Sequence, residues 1–116
     1  MENTKDAEIH PDLAPLPAEK IINKHRYSAF YNTDLEIVLR CLGITDLIIS
    51  GVMTNLCCES TTRDAYFRDL RVFFLLDATG TINEELHLAT LKNLAFGFAY
   101  VTETKEILRE LLKYKR

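Results

Sequence analysis

Leu47-Ile48-Ile49-Ser50-Gly51-Val52-Met53-Thr54-Asn55-Leu56-Cys57-Cys58-Glu59-Ser60-Thr61-Thr62-Arg63-Asp64-Ala65 is the stretch that decides the fold. Leu47 to Ser50 is a short apolar run rich in β-branched residues, which predicts a buried strand, and Gly51 breaks it. Thr54 and Asn55 are good N-cap types, so a helix is expected to open beside them and run from about Asn55 to Arg68. Cys57 then falls among the unpaired N–H groups at the positive end of that helix, a position that favours a thiolate over a thiol. Cys58 points about 100° further round the helix, so one of the two thiols faces a cleft while the other faces the sheet. Cys57 is the expected reactive group. Cys41, in the middle of an amphipathic segment, is expected to be a buried, inert small hydrophobe.

Outward from this segment, strand and helix patterns alternate. Pro11, Pro15 and Pro17 make residues 1–18 read as a loop, and Lys20 to Asn23 as a short first strand. Thr33-Asp34-Leu35-Glu36 has the form of a capping box. It opens a helix with Leu35, Val38, Leu39 and Leu42 on one face and Gly43 as its stop. Val72 to Leu76 is apolar without alternation, as expected of a parallel strand covered on both faces. Thr81-Ile82-Asn83-Glu84 resembles a second capping box, opening a helix toward Gly97. Phe98 to Thr102 is a last strand, and Lys105 to Lys113 a last helix with Ile107, Leu108, Leu111 and Leu112 inward. Glu103 and Glu106 come early in it, and Lys113, Lys115 and Arg116 late, matching the helix dipole. Repeated β–α units imply an α/β fold: a three-layer α/β/α, Rossmann-like domain with a parallel sheet of about four strands. Its site would lie at the strands' C-terminal ends, where Lys24, Cys57 and Asp77 would share one crevice.

Composition sets bounds on function. The 116 residues are 47% hydrophobic, enough for one core and one domain. A net charge of -3 offers no basic stripe, so nucleic acid is not an expected partner. No apolar run approaches a membrane span, and the first residues lack a signal peptide's apolar region. Three cysteines without a framework spacing point to reduced thiols in the cytoplasm. His10, His25 and His87 have no ligand spacing among them, so no metal is expected, and each is a candidate surface or capping group.

Four ordered blocks carry a resemblance: Lys24-His25-Arg26-Tyr27-Ser28-Ala29-Phe30; Gly51 to Cys57 with Ser60-Thr61-Thr62-Arg63-Asp64-Ala65; Asp77-Ala78-Thr79; and His87. In these the chain resembles the isochorismatase-like cysteine hydrolases, a family that includes nicotinamidases and N-carbamoyl, ureidoacrylate or biuret amidohydrolases. The similarity covers the C-terminal portion of that domain, and the family's opening strands have no counterpart, so residues 1–116 are expected to form a single truncated domain. The resemblance implies Cys57 as nucleophile and Lys24 as its basic partner. It also implies an oxyanion hole from the backbone N–H groups of Met53 and Cys57, and a cis peptide at Val52-Met53. By analogy Arg26, Tyr27 and Phe30 line the cleft, and Thr54 and Asn55 border it while holding the turn that presents Cys57. No cofactor is implied. The family's triad also needs an Asp on its first strand, and Asp6 and Asp12 lie in loop-like sequence instead. Asp77 is equally a cap or a site residue. The implied activity is hydrolysis of a small amide or ureido C–N bond through a thioester. The alternative is a catalytically inactive remnant serving as an oligomerisation or interaction module. In either case exposed sheet edges imply a homo-oligomer.

Overall fold

The computed structural model describes residues 9–114. After a 3-10 turn at Pro11–Leu13 come helix α1 (Leu35–Cys41), strand β1 (Asp46–Val52), a π-helical turn (Thr54–Cys58) and helix α2 (Glu59–Tyr66). Strand β2 (Arg71–Gly80), helix α3 (Glu84–Gly97), strand β3 (Tyr100–Thr102) and helix α4 (Thr104–Leu112) complete it. The loop-like reading of residues 1–8, Asp6 included, and the late charges Lys115 and Arg116 lie outside the described residues.

The fold is α/β as the alternation predicts, with all strand pairs parallel in the order β1-β2-β3. Among the described residues the sheet has three strands rather than about four. Residues 20–23 form no strand, because an extended segment is stabilised only by a ladder and none is offered to it. The Lys20 ammonium donates to Asp34 at 3.0 Å instead. Leu47, Ile49, Val72 and Phe74 share one face of the sheet, and α1, α2 and α3 cover it. One cluster joins Phe30, Ala65 and Val72 to Leu35 and Leu39, and the next joins Cys58, Phe74 and Leu94 to Leu91 and Val101. The opposite face is less well covered. Phe73 is half-buried and stacks on the exposed Tyr100, and Ile48 is exposed, so the burial on both faces expected for β2 is full at Val72 and Phe74 on one face and reached on the other only at Leu75.

Helix ends follow local chemistry, with some differences from expectation. Gly43, at φ +69, stops α1 as expected. Its N–H bonds the Arg40 carbonyl and that of Ile44 bonds Leu39, the paired closure of a Schellman motif. The Thr33 capping box does not form. Thr33 accepts from the Leu35 N–H, but Glu36 turns away to pair with Arg40 and Arg68, where two guanidinium groups outcompete one backbone N–H. Cys41 is exposed, since α1 ends at that residue with its thiol on the outer side, and Leu42, just beyond, is exposed too. In the second box the cap is Asn83, whose side chain accepts from the Leu86 N–H at 2.9 Å, while Thr81 is used elsewhere. Leu108, Leu111 and Leu112 of α4 are exposed and Ile107 half-buried, so the helix's apolar face is only partly covered by the described residues.

One irregularity places the site. Ile49 pairs with Phe74 and Gly51 with Thr79, so residues 75–78 of β2 face the single residue Ser50 of β1. Such bulges re-aim groups at the end of a strand, and this one presents the Leu76 carbonyl and the Asp77 carboxylate to two different helices.

Candidate functional site: a thiol and an amine at the sheet's C-terminal end

The chain leaves β1 through Val52-Met53, whose peptide is cis as the resemblance implies, and winds into the π-helical turn. The Cys58 N–H bonds the Met53 carbonyl at 3.1 Å, the wide closure that defines such a turn. Thr54 is fully buried, Cys57 half-buried and Cys58 buried. The two neighbouring thiols therefore separate as their angular offset predicts. Burial, with the adjacent Cys57 thiol adding to it, pushes the Cys58 thiol up to about 11, which keeps it protonated.

Lys24 arrives from 33 residues upstream, and its route explains its aim. The Ala29 N–H donates to Thr61 on α2 at 2.9 Å. Ser28 is buried, and Phe30 sits in the core with the Arg68 guanidinium 4.9 Å over its ring. Pinned there, the segment returns the Lys24 ammonium to 3.2 Å from Cys57 Sγ and 3.0 Å from the Arg26 carbonyl. Donor and sulfur are within hydrogen-bonding reach, so a thiolate formed here is met by a positive charge.

The other candidates divide. Lys24, His25, Arg26 and Tyr27 line one open cleft. Arg26 is exposed, its guanidinium donating to the His25 carbonyl, and Tyr27 is exposed as well. Phe30 is placed in the core, away from that lining. Thr54 is bonded to His87 at 2.8 Å, and Asn55 accepts from the Thr81 hydroxyl at 2.7 Å, so both hold the turn. Asp77 is engaged with α4: its carboxylate accepts from the Thr104 hydroxyl at 2.7 Å and the Thr104 N–H at 2.9 Å, bonds that hold it below the usual carboxylate range. Asp12 lies in the exposed 3-10 turn with its N–H on His10. No group of three His, Cys, Asp or Glu among the described residues could hold a metal ion. No helix among the described residues is long and apolar enough to cross a membrane.

Spacing alone passed over the His87 and Thr81 contacts to the cysteine turn. His87 stands within the quoted blocks, but a lone histidine on a helix gives no sign of which backbone it will meet. Its Nε2 reaches the Leu76 carbonyl at 3.1 Å only because the β2 bulge turns that carbonyl toward it.

Comparison with known proteins gives the family. The family model described as Isochorismatase domain matches residues 1–106. Nicotinamidase 3 of Arabidopsis thaliana is 46% identical over 114 residues, which are 97% of this chain and 58% of that protein. Ureidoacrylate amidohydrolase RutB of Methylobacterium radiotolerans is 42% identical over 92 residues, 78% of this chain and 36% of that one. The crystal structure of a cysteine hydrolase from Pseudomonas syringae pv. phaseolicola superposes with a TM-score of 0.94 at 32% identity, over 98% of this chain and 59% of that chain. The chain thus spans three-fifths or less of the length of these relatives. A parallel sheet ending in a cysteine turn, a family match over nearly the whole chain and these relatives together show that the chain belongs to the isochorismatase family of hydrolases.

Proposed function

We propose that this chain is the thiol-bearing portion of a cysteine hydrolase that cleaves the C–N bond of a small amide or ureido compound. The observation that carries the proposal is the 3.2 Å contact between Lys24 Nζ and Cys57 Sγ at the C-terminal end of β1. In the proposed reaction the Cys57 thiolate attacks the carbonyl carbon, forming a C–S bond as the carbonyl π pair moves to oxygen. The N–H groups of Met53 and Cys57 would receive that oxyanion. Collapse breaks the C–N bond, the leaving nitrogen takes its proton from Lys24, and a thioester remains. Water then attacks the thioester, giving up a proton to the neutral lysine, and the acid leaves as the thiolate returns. Arg26 and Tyr27, on the same open cleft as Lys24, would meet the rest of the substrate. Names of relatives support the substrate class: one is a nicotinamidase and another a ureidoacrylate amidohydrolase. Three unpaired thiols suit a reducing compartment such as the cytoplasm.

Among the described residues Lys24 meets the Arg26 carbonyl and Cys57 but no carboxylate; a lysine so placed is an incomplete acid–base device, and such assistance is worth roughly 10²–10⁴-fold. The 116-residue chain is therefore expected to release ammonia from nicotinamide or N-carbamoyl compounds slowly, and to form a Cys57 acyl adduct detectable by mass. Cys57→Ala should remove both signals. A wild-type chain that forms no adduct and releases no ammonia above the mutant would favour the inactive, interaction-module reading.

Self-association is part of the same proposal. The outer edge of β1 has no partner strand among the described residues, Val52 beside it is 72% exposed, and α4 presents Leu108, Leu111 and Leu112. An unpaired edge beside apolar surface is a template for a second copy. Sedimentation across about 1–100 μM is expected to show a dimer or larger species growing with concentration. One monomeric species throughout would remove the proposal.

A further inference from the structure

The thiol turn is held from one side by a short series of side chains. The Thr81 hydroxyl donates to Asn55, His87 meets Thr54, and the Thr90 hydroxyl donates to Glu59 at 2.8 Å. These contacts fall just before and just after Cys57. In the middle one, His87 Nε2 lies 3.1 Å from the Leu76 carbonyl, which can only accept, so Nε2 carries a hydrogen. In the neutral ring Nδ1 is then a bare acceptor, and the Thr54 hydroxyl donates to it across 2.8 Å. Thr54 has no exposed surface, so its hydroxyl has no water to turn to.

We infer that His87 is a positioning residue for the nucleophile, a ring that ties the cysteine turn after β1 to the bulge of β2 and so fixes where Cys57 Sγ stands relative to Lys24. His87 touches neither thiol nor amine and acts through Thr54. This rests on Cys57 being the nucleophile. Its physical content is separate: two peptide segments belonging to different strands are set in mutual position by one rigid, two-ended group. Small misplacements of reacting atoms carry large rate penalties, so a link of this kind is worth more to reactivity than to stability.

The test is alkylation of the folded chain by iodoacetamide, reading the rate at Cys57 relative to Cys41, which is exposed and remote in sequence. His87→Ala is expected to lower that ratio on the order of tenfold. His87→Gln, which keeps one donor and one acceptor, should restore most of it, a rescue that simple filling of space would not give. Thr54→Val removes the hydroxyl at nearly constant volume and should match His87→Ala; it carries the test if the alanine variant does not fold. Unchanged ratios in the folded variants would overturn the inference. A second readout does not depend on the thiol's role. In ring ¹⁵N spectra the neutral His87 should be protonated at Nε2, and its Nδ1 resonance should move in Thr54→Val. An Nδ1 signal unmoved by that substitution overturns the link. A wild-type Cys57 no faster than Cys41, with the ring signal moving as expected, would instead count against Cys57 as nucleophile.

Discussion

Iodoacetamide at neutral pH is expected to label Cys57 well before Cys41, and Cys58 about a hundredfold or more slowly than an ordinary thiol. The two neighbours differ by environment, not by type. Cys58 faces the core between Phe74 and Leu94, and its thiol is pushed up to about 11 from a starting value of 9.0. Two units are a factor of about a hundred in thiolate population below pH 9. The sign follows directly: the reactive form of Cys58 grows about tenfold per pH unit until about 11, so its labelling should remain steep where an ordinary thiol has levelled off. Burial slows it further by denying access. Cys57 is half-buried, opens to Lys24, and should lose part of its advantage in Lys24→Met, which removes the charge within 3.2 Å of the sulfur. Peptide mapping after timed labelling reads all three sites at once. Equal rates at the three cysteines of the folded chain would contradict the account of this turn.

Phe74→Ala is expected to destabilise the chain by about 3–5 kcal/mol, as large-to-small changes of a buried aromatic do. Phe74 is 0% exposed on the central strand, where it meets both Leu94 of α3 and Cys58 of the thiol turn. Total stabilities of small domains are about 5–15 kcal/mol, and a three-stranded sheet with one well-covered face stands near the lower end. The variant should therefore be largely unfolded in mild denaturant. Phe96→Ser provides the contrast. Phe96 is 96% exposed, so its loss should change stability by no more than about 0.5 kcal/mol. Urea titration followed by circular dichroism separates the two, and equal midpoints would show the core to be misassigned.

How far the sequence could be read depended on whether a feature was settled locally. Gly43 ends α1 through bonds to residues three to five positions back, and Asn83 caps α3 from one position outside it, so both ends were legible to within two residues. The order strand, turn, helix around Gly51 was legible for the same reason, but not its detail: Gly51 does not break the strand, since it pairs with Thr79 and β1 runs on to Val52, and a π-helical turn at Thr54–Cys58 comes before α2. Features that depend on a distant partner were not. Lys20 to Asn23 has the composition of a strand but, among the described residues, no neighbouring ladder, and the apolar stripe of α4 has the right spacing but is only partly covered by them. Cys41 looked buried by helical periodicity, which says nothing of where the helix stops. At the site, Cys57, named from its place at the start of a helix, and Lys24, whose role the resemblance implied, are brought together, whereas Phe30 is placed in the core and Asp77 at the start of α4. The contacts of His87 were illegible because they depend on a change of strand register that no residue in residues 75–78 announces.

That change of register makes the number of residues there matter as much as their identity. Strand ends usually tolerate a gained or lost residue, because the adjoining loop absorbs it. Here, shortening the four-residue excursion opposite Ser50 would straighten the ladder, withdraw the Leu76 carbonyl from one helix and the Asp77 carboxylate from another, and so loosen the thiol turn and the start of α4 together. Two successive helices thus share a common spacer. Natural length variation should spare these four positions even where their side chains drift, and a designer grafting this turn onto another sheet would have to carry the spacer along with the cysteine.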